Sequence, residues 1–330
     1  MGEAEIVAVD PFIILLLALA IDAVLGDLPQ LFRFVPHPVA LVGRAIEFLE
    51  RRLNRDSRSN ADRTLRGAFV VLVLCGSAGG VAWFIQWIGQ GRVWSGPLEV
   101  FLVAVLVAQR SLFDHVRAVA VALDKGGLYA GRDAVRHIVG RDPESLDEHG
   151  VARAAIESCA ENFSDAVVAP VFWYALAGLP GLFVYKTAST LDSMIGHRSA
   201  RYRAFGMTAA RLDDALNLVP ARLSAVLMIL AAFFVPTASP WRALKTTLRD
   251  SGHHRSINSG WPEAAMAGAL DLALAGPRRY PGEFVNDRWI GEGRARATAG
   301  DIRRSLYMFV AACLLNAMLV AGLAWVSLGR

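Results

Sequence analysis

Apolar residues along this chain fall in long blocks rather than at the regular spacing of a surface helix or strand. Four stretches contain no Asp, Glu, Lys or Arg: Gly67–Gly91, Ala166–Tyr185, Leu223–Trp241 and Ser305–Gly329. A membrane core about 30 Å thick is crossed by roughly 20 apolar residues of helix. The pattern therefore predicts an all-α, polytopic helical membrane protein, with apolar runs near 12–25, 67–91, 97–110, 166–185, 223–241 and 305–329.

Polar segments separate these runs and hold most of the distinctive side chains. We expect one integral membrane domain over 1–330, with a helical cytoplasmic portion and functional segments at 28–66, 110–165, 186–222 and 242–304. The arginine-rich segment Leu28–Arg66 is predicted to be cytoplasmic, because basic loops stay on that side. The turn Arg92–Pro97 would then lie outside, with Trp83, Trp87 and Trp94 at the membrane interface.

The run Ala166–Tyr185 allows two topologies. It contains Gly-Leu-Pro-Gly at its centre, so it forms either one interrupted span or a re-entrant hairpin that turns at Leu179–Pro180. The first version puts the basic loop Lys186–Arg222 outside, and the second puts Pro236–Arg304 outside. Charge counting leaves both versions open, and we favour a topology in which both loops face the cytoplasm.

The amino-acid composition also indicates a membrane protein. Hydrophobic residues make up 54% and charged residues 19% of the chain, with a formal net charge of +4. This balance excludes an ordinary soluble domain and gives no indication of nucleic-acid binding. Cys75, Cys159 and Cys313 fit no metal or redox spacing. The acidic start, with Glu3 and Glu5, is unlike a signal peptide, so we expect the first apolar run to be retained.

An acidic group precedes the fourth run. On a helix, Glu157, Glu161 and Asp165 would form one stripe with Asn162 beside it. Like charges at this spacing repel, so a cation or basic partner is expected opposite them. A solvated helix face is the alternative interpretation.

The segment Lys186–Arg222 combines carboxylates with arginines. Asp192 and the adjacent pair Asp213 and Asp214 offer the oxygen ligands that Mg²⁺ prefers. Arginines at this density are typical of phosphate or carboxylate recognition. A salt-bridged interfacial loop is the alternative. The candidate binding residues here are Lys186, Arg211, Asn217 and Arg222.

Two shorter groups complete the candidates. Asn258 lies in a polar turn, and a predicted helix that carries Glu263 in its first turn follows directly. The N–H groups of the turn and of the helix start could hold an anion. Near the first run, Asp22 is costly in a membrane and so marks a site or a buried pair. His37 stands between two prolines, where it either lines a pocket or makes a structural hydrogen bond. No Walker A, dinucleotide-binding, HExxH or GxSxG motif occurs.

Taken together, these strings resemble the CobD/CbiB family, the adenosylcobinamide-phosphate synthases of cobalamin biosynthesis. The resemblance runs from about Asp22 to Gly291 and rests on GDLPQLFRFVPHPVALVG, ESCAENFSDAVVAPVFWYALAGLPG, TLDSMIGHRSARYRAFGMTAARLDDALNLVPARL and NSGWPEAAMAGAL. Two positions depart from the family pattern. Ser189 stands where Asn is common, and Ile257 stands where Pro is common, which would weaken a hydrogen bond and loosen the turn at Asn258.

The resemblance implies an enzyme of the cell inner membrane. Its reaction would join a propionate carboxyl of adenosylcobyric acid to aminopropanol or its O-phosphate, using ATP and Mg²⁺ and no tightly bound cofactor. Asp192, Asp213 and Asp214 would position metal and phosphate. Other residues would bind substrate or move protons: Glu157, Glu161, Asp165, His37, Asn162, Lys186, Arg211, Asn217, Arg222, Asn258 and Glu263. Contacts with lipid and with other membrane proteins of the pathway are also expected.

Two other functions remain open on the residues alone. Broken helices and intramembrane carboxylates also suit a transporter, although no internal repeat is visible. A membrane sensor of the AmpE type, without catalysis, belongs to the same superfamily. The polar groups cluster outside the apolar runs, which disfavours a transporter. The set of carboxylate and asparagine motifs favours retained catalysis over a sensor.

Overall fold

The computed structural model describes residues 9–26, 32–34, 36–140, 142–280 and 283–329. Over these ranges the chain is mostly helical, as the apolar blocks predict. The α-helices are α1 Pro11–Leu25, α2 Pro38–Leu53, α3 Asn60–Gly89, α4 Ser95–Leu106, α5 Gln109–Val135, α6 Glu148–Asn162, α7 Ala169–Ile195, α8 Met207–Ala231, α9 Pro240–Asp250, α10 Gly260–Leu270 and α11 Ala299–Leu328. Short 3₁₀ turns occupy Pro143–Ser145 and Ser251–His253, and a π-helix occupies Phe163–Val168.

Five helical stretches are long and apolar enough to cross a membrane: Asn60–Gly89, Ser95–Val135, Glu148–Ile195, Met207–Ala231 and Ala299–Leu328. The first apolar helix, Pro11–Leu25, is shorter. This confirms the helical membrane class. One boundary differs from the sequence pattern, because α8 starts well before the run 223–241 and ends at Ala231. The polar pair Asp213 and Asp214 is therefore helical rather than part of a loop.

Contacts divide the chain into two compact units. The first comprises the described residues up to Val107, Ala169–Asn217, and those from Val320 onward. Its core packs α2 and α3 against α7 through Ile46, Val71, Leu191 and Phe205. At Gly67 a Cβ atom would lie 1.8 Å from the carbonyl oxygen of Phe205. Only glycine allows this close backbone approach.

Helix α7 breaks where the sequence contains Gly-Leu-Pro-Gly. Ala177 and Gly178 leave helical geometry, and Gly178 has a φ of 62°. A Cβ at Gly181 would lie 2.5 Å from the carbonyl oxygen of Trp173, although eight residues of straight helix span about 12 Å. The chain therefore bends sharply next to Leu179–Pro180, as the re-entrant alternative requires. The topology relative to the membrane stays a prediction.

The second unit comprises Ala108–Val168 and Leu218–Leu319. Its apolar core includes Val116, Ile156, Met266 and Phe309. It also contains an antiparallel hairpin that the apolar pattern does not predict, formed by β1 Leu274–Tyr280 and β2 Glu283–Ile290. Single-domain organisation stays a prediction, since compact units in one chain do not define a functional domain.

Candidate functional site

Arg222 is a predicted binding residue that lies in the second unit. It lies on α8 and donates a hydrogen bond of 2.7 Å from Nη1 to Oδ1 of Asn258. Its guanidinium also lies 4.7 Å from the ring centroid of Trp261, a favourable cation–π geometry. Both partners are neutral, so they orient the guanidinium without cancelling its charge. Arg222 and Asn258 were predicted as binding residues, and the structure brings them together.

Glu161 meets the same turn from α6. The hydroxyl of Ser259 donates a hydrogen bond of 2.9 Å to Oε1 of Glu161. Ser259 directly follows Asn258, so a carboxylate and a guanidinium are held by adjacent residues at the start of α10. The turn itself is fixed by Ser256, whose Oγ accepts the backbone N–H groups of Asn258 and Ser259 at 3.2 and 3.3 Å.

Glu263 sits in the first turn of α10 and is buried. Nε2 of His254 lies 3.5 Å from Oε1 of Glu263, and Nδ1 of His254 accepts the backbone N–H of Ser256 at 3.1 Å. His254 therefore links the Ser256 turn to the helix start. No local sequence signal indicates this contact, because Glu263 lies nine positions after His254.

The predicted acidic stripe is interrupted after its second member. Regular α-helix ends at Asn162, and Asp165 lies in the π-helix, where the turn is wider. Asp165 therefore does not continue the α-helical angle of Glu157 and Glu161. The π-helix leaves the carbonyl of Ala166 available, and it accepts the backbone N–H of Ala108 at 3.1 Å. Such π segments are frequent at functional sites.

Two members of the acidic group have local partners. Oε1 of Glu157 accepts the backbone N–H of Ala275 in β1 at 2.8 Å, and Glu157 is buried. Asn162 donates to the carbonyl and the hydroxyl of Ser158 at 2.9 and 3.2 Å. Glu157 thus helps to hold the hairpin, which favours a positioning role. Its catalytic role stays a prediction.

Asp213 belongs to a buried hydrogen-bond chain in the first unit. The hydroxyl of Tyr185 donates to Oδ1 of Asn217 at 3.0 Å, and Nδ2 of Asn217 donates to Oδ2 of Asp213 at 3.1 Å. Asn217 and Tyr185 are both buried. Trp173 donates to the carbonyl of Leu216 at 3.1 Å. Trp173 and Tyr185 lie on either side of the break in α7. They contact the neighbouring residues Leu216 and Asn217, and so fix the part of α8 that follows Asp213.

Asp192 and Asp214 flank a tight loop over 196–206. Oδ1 of Asp192 lies so close to Gly196 that a Cβ there would be 1.9 Å away. A Cβ at Gly206 would lie 1.6 Å from the carbonyl oxygen of Ile195, so the two loop ends touch. Arg198, in this loop, interacts electrostatically with Asp214. Loops with joined ends often carry function.

The remaining candidates of the first unit lie apart from the Asp213 chain or are exposed. Lys186 lines a mostly apolar cavity of about 320 Å³, together with Thr187 and Thr190. Arg211 is exposed. Nδ1 of His37 accepts the backbone N–H of Val39 at 3.2 Å, so His37 caps α2, as the structural alternative predicted.

A magnesium site remains a prediction. Across the described part of the chain, no group of three or more His, Cys, Asp or Glu side chains is arranged to hold a metal ion. Mg²⁺ commonly takes only one or two carboxylates, with waters and substrate phosphates completing its shell. Asp213, whose Oδ2 is oriented by Asn217, fits such a partial ligand set.

The ion pair between Arg201 and Glu50 was not predicted from the sequence. Glu50 in α2 accepts two hydrogen bonds from Arg201, at 2.9 and 3.1 Å. Asn54 donates to the carbonyl of Arg201 at 3.1 Å and accepts from Arg63 at 2.8 Å. The Glu50 contacts raise the pKa of Arg201, chiefly through the side-chain hydrogen bond. Glu50 is some 150 positions away in sequence, so no local signal could reveal this pairing.

The sequence of this chain is similar to those of known proteins along most of its length. A sequence profile described as CobD/Cbib protein matches residues 15–309. A Sinorhizobium protein described as Cobalamin biosynthesis protein CobD is 53% identical over 320 residues, covering 95% of this chain and 98% of its own. Proteins with the same description from Rhizobium meliloti (strain 1021) and Rhodobacter capsulatus are 50% and 46% identical, covering 91% and 89% of this chain and 93% and 91% of their own. No solved structure matches the chain significantly.

The chain is thus a helical membrane protein with clusters of hydrogen-bonded polar side chains. The chain belongs to the CobD/CbiB family of cobalamin biosynthesis proteins. A place in cobalamin biosynthesis indicates an enzyme with a corrinoid substrate and disfavours the transporter alternative. The resemblance stated from sequence is therefore confirmed.

Proposed function

We propose that this protein forms an amide between a propionate carboxyl of adenosylcobyric acid and the amino group of aminopropanol or its O-phosphate, giving adenosylcobinamide or its phosphate. The observation that carries the proposal is the turn at Asn258–Ser259. It holds the Arg222 guanidinium and the Glu161 carboxylate on adjacent residues at a helix start. Such a site can bind an anionic group and an ammonium group close together.

The reaction needs an activated carboxyl, because a carboxylate is a poor acyl donor. A propionate oxygen would attack the terminal phosphorus of ATP, which releases ADP and gives an acyl phosphate. The deprotonated amine would then attack the carbonyl carbon, the C–O bond to phosphate would break, and inorganic phosphate would leave. The ammonium nitrogen loses two protons overall: one ends on the leaving phosphate, and one is released to solvent. A bound Mg²⁺ would neutralise phosphate charge in this sequence.

The second unit would supply the acyl-transfer groups. The fixed charge of Arg222 would bind the propionate or a phosphate as negative charge develops. Glu161 would bind the ammonium group and accept its proton. Asn258 and Glu263 would hold the turn and helix start in place, with Asn162 and Asp165 on the adjoining segment of the chain.

The first unit holds a separate group of candidate residues, which we propose as a phosphate and metal site of that unit. Asp213 is oriented by Asn217, and Asp214 interacts with Arg198. These carboxylates and Asp192 would hold Mg²⁺ through one or two oxygens. Lys186 and Arg211 would contact phosphate groups.

The proposal is tested with full-length protein in lipid nanodiscs. Adenosylcobyric acid, aminopropanol or its O-phosphate, ATP and Mg²⁺ are supplied, and the amide is measured by mass spectrometry. We expect amide product with at least one amine, and none when ATP is omitted. Folded protein that forms no product with either amine would refute the enzyme assignment.

Two substitutions test the site. Asp213→Asn and Glu161→Gln should each lower the rate by roughly 100-fold or more, the usual effect of losing a catalytic carboxylate. Asp133→Asn is the matched control, since Asp133 is a largely exposed surface carboxylate paired with Arg136. Full activity in both site variants would contradict these roles.

We also propose that the protein lies in the inner membrane with both polar loops in the cytoplasm. Cysteine labelling can test this at Ser199 and Ile257, which are both exposed. Both positions should react only from the cytoplasmic side. Labelling of either position from the outside would overturn this topology.

A further inference from the structure

A second cavity lies in the first unit, beside the turn that the sequence predicts outside the membrane. Its volume is about 450 Å³, and it is lined by the end of α3, the turn over 90–94, the start of α4, and Val9 and Ile14. None of the residues assigned to the proposed reaction lines it. The cavity therefore needs an explanation of its own.

Glu99 is the carboxylate of this cavity. It lies one turn into α4, a helix that is otherwise apolar after its start. Oε1 of Glu99 accepts two hydrogen bonds, at 2.9 Å from the hydroxyl of Tyr174 and at 2.7 Å from Nε2 of Gln86. Across the described residues, Oε2 has no hydrogen-bond partner, and Glu99 forms no ion pair with a basic side chain.

Both donors contact the same oxygen of Glu99 and hold the carboxylate in one orientation. Carboxylates in membrane segments usually pair with a cation, because an isolated charge there is costly. The second oxygen of Glu99 is thus left for a group that the described chain does not supply.

Other charges near the cavity are few. Asp10 lies close enough to Tyr174 to interact with it electrostatically, which adds negative charge. Arg92 also lines the cavity, but it is exposed and its guanidinium lies 5.9 Å from the ring centroid of Trp94. The remaining lining includes the apolar side chains of Ile85 and Pro97. Such a lining suits a ligand with one cationic end and a hydrocarbon body.

We propose that this cavity binds a small organic ammonium ion, whose N–H groups donate to Oε2 of Glu99 and whose hydrocarbon part contacts Ile85 and Trp94. The volume is far larger than a bare inorganic cation requires and lies within the range of small-molecule sites. This inference does not depend on the amide-forming reaction, since it rests on different residues.

Cysteine protection tests the proposal. Ser95 lines the cavity, so Ser95→Cys is made in full-length protein whose three native cysteines are replaced by alanine. The rate of labelling by neutral N-ethylmaleimide is measured in proteoliposomes with increasing n-propylammonium chloride. We expect saturable slowing of roughly threefold or more, none with sodium chloride at equal ionic strength, and none with 1-propanol. Adding Glu99→Gln should abolish the slowing.

Arg92→Gln is the matched control, because it also removes one charge from the lining. Protection should survive in this variant or become stronger. Ligand-observed saturation-transfer NMR of n-propylammonium with the native chain, and with Glu99→Gln alone, gives a readout that needs no reactive cysteine. A saturation-transfer signal should appear with the native chain and disappear with Glu99→Gln.

Several results would overturn the proposal. Equal slowing by sodium chloride would indicate an inorganic cation site. Slowing by sodium propionate that is lost in Arg92→Gln would indicate an anion site. Unchanged n-propylammonium signals in Glu99→Gln, with its thermal midpoint preserved, would show that Glu99 does not bind the probe.

Discussion

Two arginines, one in each unit, are held in opposite ways. Arg201 makes a two-pronged ion pair with the buried carboxylate of Glu50. Arg222 is held by the neutral amide of Asn258 and the ring of Trp261. The charge of Arg201 is neutralised by the Glu50 carboxylate, whereas the charge of Arg222 remains available to an anionic ligand. Partner charge therefore separates a structural arginine from a binding arginine.

A third arginine belongs with the structural class. Arg249 donates to both oxygens of Asp250, at 2.6 and 2.7 Å, and also pairs with Glu292. Oδ2 of Asp250 accepts the backbone N–H of Gly291 at 2.8 Å. This network ties the end of α9 to the end of β2. Its charges are satisfied locally, so we expect it to support stability and not substrate binding.

The largest effect is expected for Arg222→Gln. It removes a charge that pairs with no carboxylate among the described residues, so the amide-forming rate should fall by roughly 100-fold or more. The thermal unfolding midpoint, followed by tryptophan fluorescence, should change little. Arg222→Lys keeps the charge but loses the planar fork, and should recover part of the rate. A full rate in Arg222→Gln would place Arg222 outside the site.

The opposite outcome is expected for Arg201→Gln. It leaves the buried Glu50 carboxylate without its cation, which should cost about 1–3 kcal/mol of unfolding free energy. The expected loss of unfolding free energy is smaller than for a fully buried ion pair, because the Arg201 side chain is 49% exposed and its charge is partly screened by solvent. Thermal unfolding in detergent measures the loss, and Asp133→Asn serves as the surface control. An unchanged midpoint would show that the pair is not an anchor.

A pH dependence should distinguish the Asp250 network. Burial raises the pKa of the Asp250 carboxyl, but the Arg249 and Gly291 hydrogen bonds outweigh it, so the net pKa lies below the ordinary value of 3.8. A depressed pKa contributes stability above 3.8 that is lost as the pH falls through the folded-state value. The midpoint difference between native protein and Asp250→Asn should be constant near neutral pH and shrink below pH 3.8. A constant difference down to the acid limit would contradict this assignment.

The smallest effect is expected for Ser256→Ala. Its hydroxyl accepts two backbone N–H groups of the turn that holds Arg222. Their loss should cost about 1 kcal/mol and lower the amide-forming rate by roughly threefold to tenfold. Ile257→Pro, which restores the common family residue, is the companion variant and should leave the rate near the native level. A larger loss in Ile257→Pro would show that this chain has adapted the turn around isoleucine.

Features set by neighbouring residues could be predicted from the sequence. The apolar blocks predicted the spanning helices, and Pro180 with its flanking glycines predicted the break in α7, because these residues act on their own backbone. The hairpin β1–β2 was not predicted. Its sequence contains Pro277 and shows no strict alternation, and proline argues against a strand unless it lies at an edge or a bulge.

The site was only partly predictable for a different reason. Arg201 and Arg222 fall in one basic segment and look equivalent along the chain. Their roles depend on Glu50 and Asn258, partners that are distant in sequence. Glu99 escaped notice because a single acid near a helix start resembles an ordinary helix terminus. Its Tyr174 and Gln86 partners become visible only in three dimensions.

The most direct test compares the amide-forming rates of Arg222→Gln and Arg201→Gln, each divided by the amount of folded protein. Folded protein is quantified by size-exclusion chromatography in the same preparation. We predict a near-native rate for Arg201→Gln and a loss of roughly 100-fold for Arg222→Gln. Equal losses in both variants, or a larger loss in Arg201→Gln, would contradict the distinction between the two arginines.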